Sequence, residues 1–129
     1  MSGQRILVVD DQSHINRILK RSLAQKGYVV ETASHGKQAL DMLREESFDA
    51  IITDYQMPHM DGVTLCEAYT GEFPGNATLM ILSTAVADEK LQEWAERMPN
   101  TLYLEKPVSM RRLSDILSEY FSMPQRRSG

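Results

Sequence analysis

Ile6-Leu7-Val8-Val9 runs directly into Asp10-Asp11. Four successive apolar residues, three of them β-branched, read as a strand buried on both faces; a half-exposed strand would alternate apolar and polar. The same construction recurs further on: Ala50-Ile51-Ile52-Thr53 ends at Asp54, and Leu79-Met80-Ile81-Leu82-Ser83 ends at Thr84. Between these runs the apolar period changes to that of helices. Ser13 reads as the N-cap of a helix over about 14–26, with the stripe Ile15, Ile18, Leu19 and Leu23 and with Gly27 as its C′ stop. Residues 28–33 read as a second strand, and about 36–46 as a helix with Ala39, Leu40 and Leu43 inward. A loop at 55–62 leads to a short helix over about 63–70, after which Gly71, Pro74 and Gly75 break the chain. A helix over about 88–98 carries Leu91, Trp94, Ala95 and Met98 on one face and stops at Pro99-Asn100. Leu102-Tyr103-Leu104 reads as a short fifth strand leading to Lys106-Pro107. Ser109 reads as the N-cap of a last helix with the stripe Leu113, Ile116, Leu117, Tyr120 and Phe121. A polar tail is expected over 123–129.

Five buried strands alternating with five helices specify an α/β fold, a doubly wound parallel sheet whose right-handed crossovers put helices on both faces. Bulk properties agree. The chain has 129 residues, 42% hydrophobic and 25% charged, enough for one domain with a full core. A formal net charge of −4 argues against a broad nucleic-acid face, which needs clustered Lys and Arg. One cysteine, Cys66, excludes an internal disulfide and suits a reducing, cytoplasmic setting. The start reads as no signal peptide, and no stretch approaches the roughly 20 apolar residues of a membrane span.

Parallel sheets of this kind bind ligands at the carboxyl ends of their strands, beside the point where strand order reverses. Here those ends carry Asp10 and Asp11, then Asp54, Thr84 and Lys106. Gathered carboxylates repel one another, and burial raises the cost. A hard divalent cation relieves this; Mg²⁺ typically takes one or two carboxylates together with waters and phosphate oxygens. Lys106 adds a point charge suited to phosphate and Thr84 a hydroxyl donor. The set describes a phosphoryl site in which an aspartate can itself be the nucleophile.

Four stretches, in order and each at an expected strand end, resemble the receiver domain of two-component response regulators: Val8-Val9-Asp10-Asp11, Asp54 through Gly62, Ser83-Thr84-Ala85, and Tyr103-Leu104-Glu105-Lys106-Pro107. The resemblance covers about residues 4–121 and implies a receiver domain over 1–122, in the CheY-like superfamily, with flavodoxin-like strand order 2-1-3-4-5. It implies Asp54 as phosphoacceptor, Asp11 as a direct ligand of Mg²⁺ (or Mn²⁺), and Asp10 as a ligand through water. It also implies the backbone carbonyl of Gln56 in the metal shell, and Thr84 and Lys106 on phosphoryl oxygens. Lys106-Pro107 resembles the family's cis peptide, and Tyr103 its switch aromatic paired with Thr84. The implied donor is a histidine kinase or a histidine phosphotransfer protein, and the implied output an unidentified domain or protein partner, with no direct nucleic-acid or membrane binding. Such a domain catalyses its own phosphorylation and dephosphorylation without being a turnover enzyme.

Two other functions share parts of the pattern. A haloacid-dehalogenase-like aspartyl phosphatase needs a second carboxylate two residues beyond its nucleophile, where this chain has Gln56. A flavodoxin-like FMN carrier needs a phosphate loop rich in Ser, Thr and Gly after its first strand, where this chain has Asp10-Asp11-Gln12. Trp94 and Cys66 read as core. His14, His35 and His59 lack ligand spacing and read as exposed loop or helix positions, and Arg126-Arg127 as solvated tail.

Overall fold

The computed structural model describes residues 3–123. Its elements follow one another as β1 (Arg5–Val9), α1 (Ser13–Ala24), β2 (Val29–Ala33), α2 (Gly36–Glu45), β3 (Ala50–Asp54), α3 (Gly62–Glu72), β4 (Leu79–Thr84), α4 (Glu89–Arg97), β5 (Thr101–Glu105) and α5 (Met110–Phe121). The strands form one parallel sheet in the order β2-β1-β3-β4-β5. Strand order therefore reverses between β1 and β3. Of the tail expected over 123–129, only Met123 lies within the described residues.

The pleat explains why the central strands are apolar throughout. Leu7 and Val9 of β1, Ile51 of β3, and Met80 and Leu82 of β4 face a core closed by α2, α3 and α4. Their neighbours Ile6, Val8, Ala50, Ile52, Leu79 and Ile81 face a second core closed by α1 and α5. Trp94 belongs to the first core, and its indole N–H donates to Glu67 Oε2 at 2.9 Å. Cys66 is fully buried there, and burial, aided by Glu67 and Asp61, pushes its thiol up to about 12. Among the described residues, no helix is long and apolar enough to cross a membrane.

Helix ends follow the expected chemistry in most places. Ser109 caps α5 by accepting from the Arg112 amide, and Asp61 and Asp88 cap α3 and α4 in the same way. Gly27, at φ +98°, closes α1: its amide donates to Ala24 and the Tyr28 amide to Leu23, the paired bonds of a Schellman turn.

Three expectations need correction. Ser13 is not the cap of α1. Gln12 stands at that position and its side chain makes no capping bond, while its amide donates to the Asp10 carboxylate at 2.9 Å and so ties the turn to Asp10. Ile18 does not face inward and is 55% exposed. The buried face of α1 runs instead through Asn16 and Leu23, with Leu19 partly buried between them, which rotates Ile18 outward. His35 is half-buried, not a free surface residue, and its Nδ1 caps α2 by accepting from the Gln38 amide at 3.1 Å.

Candidate functional site

Each acidic residue reaches the site because its strand ends on the same edge. Asp10 follows β1 directly and is only 4% exposed. Its amide donates to the Ala33 carbonyl at 3.2 Å, and its carboxylate accepts from the Gln12 amide. Asp11, next in the turn, is exposed. Asp54 is the last residue of β3, paired in register with Ser83 of β4. Carboxylate oxygens of Asp10, Asp11 and Asp54 all lie within 4.8 Å of one another. Lys106, one residue past β5, is held by its amide N–H, which donates to the Thr84 carbonyl at 2.8 Å. Its Nζ stands 3.1 Å from Asp54 Oδ1 and 3.5 Å from Asp10 Oδ2.

Three carboxylates and one ammonium leave an excess of negative charge. At this spacing each like-charged pair repels by roughly 3 kcal/mol at an effective dielectric of 20. Burial pushes the Asp54 carboxyl above its ordinary value; Lys106 pulls it down, and Asp10 and Asp11 push it up again. The donor set is all oxygen, with no Cys or His in the cluster, which suits a hard cation such as Mg²⁺. Asp10, Asp54 and Lys106 form the polar end of a cavity of about 540 Å³ whose apolar walls include Ile15 and Leu19 of α1 and Met110 and Leu113 of α5.

The hydroxyl side of the site is placed differently. Thr84 ends β4 and is 2% exposed, and its Oγ1 bonds the main chain of Val86 at 3.3 Å to both N–H and C=O. Tyr103 is half-buried; its hydroxyl accepts from the Asp88 amide at 2.9 Å and donates to Glu105 Oε2 at 3.4 Å. Gln56 is exposed in the loop that follows Asp54. The Lys106–Pro107 peptide is cis, as expected.

The sequence reading missed Asn16 altogether, and of Gly62 it had only the place at the end of the motif that starts at Asp54. Asn16, 6% exposed, donates from Nδ2 to the Asp10 and Ala33 carbonyls. Gly62 lies so close beneath Asp54 that an added Cβ would stand 2.5 Å from the Asp54 carbonyl oxygen and 2.5 Å from Leu82 Cδ1.

Residues 6–118 match the family profile described as the response regulator receiver domain. The chain belongs to that family. The receiver is 34% identical over 109 residues to the response regulator MprA of Mycobacterium tuberculosis, a match covering 84% of this chain and 46% of MprA. It is 32% identical over 110 residues to the probable transcriptional regulator ycf27 of Guillardia theta, covering 85% and 42%. The chain thus spans less than half the length of these relatives. Among solved structures, a CheY-like receiver domain protein of Methanospirillum hungatei is similar with a TM-score of 0.87 and 29% identity, covering 99% of this chain and 100% of that one. The response regulator TrrA of Thermotoga maritima, solved in complex with Mg²⁺-BeF, is similar with a TM-score of 0.78 and 28% identity, covering 91% and 98%.

Proposed function

We propose that Asp54 accepts a phosphoryl group from a phosphohistidine on a histidine kinase or a histidine phosphotransfer protein. The observation that carries this reading is the convergence on Asp54 of two further carboxylates and the Lys106 ammonium at the reversal of strand order. In the transfer an Asp54 carboxylate oxygen bonds to phosphorus, the P–N bond breaks, and the imidazole nitrogen leaves with the electron pair. Asp11 would hold Mg²⁺ (or Mn²⁺) directly and Asp10 through water, with Asp54 and the Gln56 carbonyl completing the protein's share. The cation supplies charge neutralisation between the carboxylates and the incoming phosphoryl oxygens. Lys106 and Thr84 bind those oxygens, Lys106 from where it stands and Thr84 after releasing Val86. Tyr103 then turns inward into the space that Thr84 vacates, and the face they border passes the signal on.

The domain occupies residues 1–122 and acts in the cytoplasm as a phosphoacceptor whose only substrate is its own aspartate. Its output goes to a further domain or a protein partner. The formal net charge of −4 favours protein over nucleic acid as what the receiver itself contacts.

Incubation with acetyl phosphate and Mg²⁺ should add one phosphoryl group, read by intact mass. EDTA should prevent the addition, and Asp54→Asn should remove it. Uptake by Asp54→Asn at the parent rate overturns the assignment.

A further inference from the structure

We propose that Asn16 is the positioning residue of the acidic pair Asp10-Asp11: by pinning the Asp10 main chain it sets the affinity of the carboxylate cluster for a divalent cation. The inference rests on the metal-site reading above and adds to it a residue that touches neither metal nor phosphoryl group.

Asn16 sits on the second turn of α1, on the face that packs against the sheet, where an aliphatic residue would fill space at less cost. Both Nδ2 hydrogens are used, one on the Asp10 carbonyl at 2.9 Å and one on the Ala33 carbonyl at 3.1 Å. Two carbonyl acceptors admit only the NH₂ end of the amide, so its orientation is determined. Oδ1 is left buried and without a partner. A buried acceptor without a donor is destabilising, so the amide is a poor choice merely as packing. What it secures is the junction of two strands. Ala33 accepts both from Asn16 and from the Asp10 amide, which ties the end of β1 to the end of β2. With Asn16 on its carbonyl, Ala33 on its amide and Gln12 on its carboxylate, Asp10 is bonded at every polar group.

Asp10 and Asp11 occupy the tight turn between β1 and α1. Loss of the amide would leave the buried Asp10 carbonyl unpaired, and the turn would shift to reach water. Ligands whose outer partners are removed typically lose about 10–100-fold in metal affinity. Asn16 carries no charge, so its removal leaves the site's net charge unaltered. The effect therefore falls on affinity, and transfer at saturating metal stays close to that of the parent.

The test is a Mn²⁺ titration of the folded protein, with free Mn²⁺ read by electron paramagnetic resonance. Asn16→Leu matches the side chain in size without its hydrogen bonds. Asn16→Ala adds no bulk and serves where leucine is not accommodated. Thr78→Val is the control, because Thr78 is equally buried and donates to the Phe48 carbonyl at the opposite edge of the sheet. Asp11→Asn tests the metal site itself. We expect Mn²⁺ binding about tenfold weaker or more in the Asn16 variants, unchanged in Thr78→Val, and phosphorylation by acetyl phosphate restored at high Mg²⁺. Parent-like Mn²⁺ binding in the Asn16 variants overturns the proposal, as does equal weakening in Thr78→Val. If the parent binds no Mn²⁺, or Asp11→Asn binds like the parent, the metal-site reading fails and this proposal with it. If Asp11→Asn alone weakens binding, only the role of Asn16 fails.

Discussion

The carboxyl edge of the sheet has two halves in different states of assembly. Asp10, Asp11, Asp54 and Lys106 already stand together, linked by contacts of 3.1 and 3.5 Å between Lys106 and two of the acids. Thr84 and Tyr103 are bonded elsewhere, Thr84 to the main chain of Val86 and Tyr103 to the amide of Asp88, the cap of α4. The acidic half follows from topology alone, since parallel strands deliver their last residues to one edge. The hydroxyl half depends on the exposed segment 85–88, which Thr84 holds near its start and Tyr103 at its end. A ligand that draws Thr84 away releases one of those two ties. Under the function proposed above, chemistry is built in at one half and response is held in reserve at the other.

The sharpest way to break this contrast is at Lys106. If the ammonium is part of a preassembled site, Lys106→Ala should slow phosphorylation by acetyl phosphate about 100-fold at saturating Mg²⁺, the usual cost of losing one donor to developing charge. A change under threefold would place Lys106 outside the chemistry.

A smaller effect is expected at the hydroxyl half. Beryllofluoride with Mg²⁺ should move Tyr103 to a new environment, visible in its ring resonances. The coupling should be worth about 1–3 kcal/mol, and Thr84→Ala should reduce the movement. Equal movement without the Thr84 hydroxyl would uncouple the two residues.

The smallest effect concerns stability. The Asp54 carboxyl titrates above its ordinary value because burial disfavours its charge. The folded state then holds that proton more tightly than the unfolded chain does. Ionising Asp54 destabilises the metal-free fold as pH rises through the unfolded value and beyond, and the penalty is complete above the folded value. Asp54→Asn, which removes the proposed phosphoacceptor, should therefore raise the melting temperature at pH 7 without metal, by an amount that vanishes below about pH 4. An unchanged or lower melting temperature at pH 7 would show that Lys106 outweighs burial.

The central strands β1, β3 and β4 were legible because burial on both faces leaves the run apolar, and the acidic edge followed from where those runs stop; the expectation of five buried strands fails at the sheet's edges, where β2 and β5 carry polar residues and leave Val29 and Leu102 exposed. Strand order was not legible in the periodicity, which does not encode neighbours; it entered through the resemblance to receivers, and the sheet bears it out. Asn16 was invisible because a polar residue on an apolar stripe counts against the pattern, although here its hydrogen bonds are the reason for its place. Ile18 misled for the complementary reason, since it shares the period of the buried face without sharing its side. The partner of the Tyr103 hydroxyl, the Asp88 amide, lies fifteen residues away across α4, beyond the reach of any local pattern.

Helix α3 carries glycine near both ends, and the two are opposites. At Gly62 any side chain would strike the Asp54 carbonyl and Leu82, whereas an added Cβ at Gly71 meets nothing within 4 Å. Gly71→Ala would add helix propensity worth about 0.5–1 kcal/mol with no steric objection. Substitution at Gly62 would push directly on the strand end that presents Asp54. One short helix thus runs from a position open to engineering to one closed to it, and a designer wanting a sturdier receiver with its chemistry intact should work from its far end.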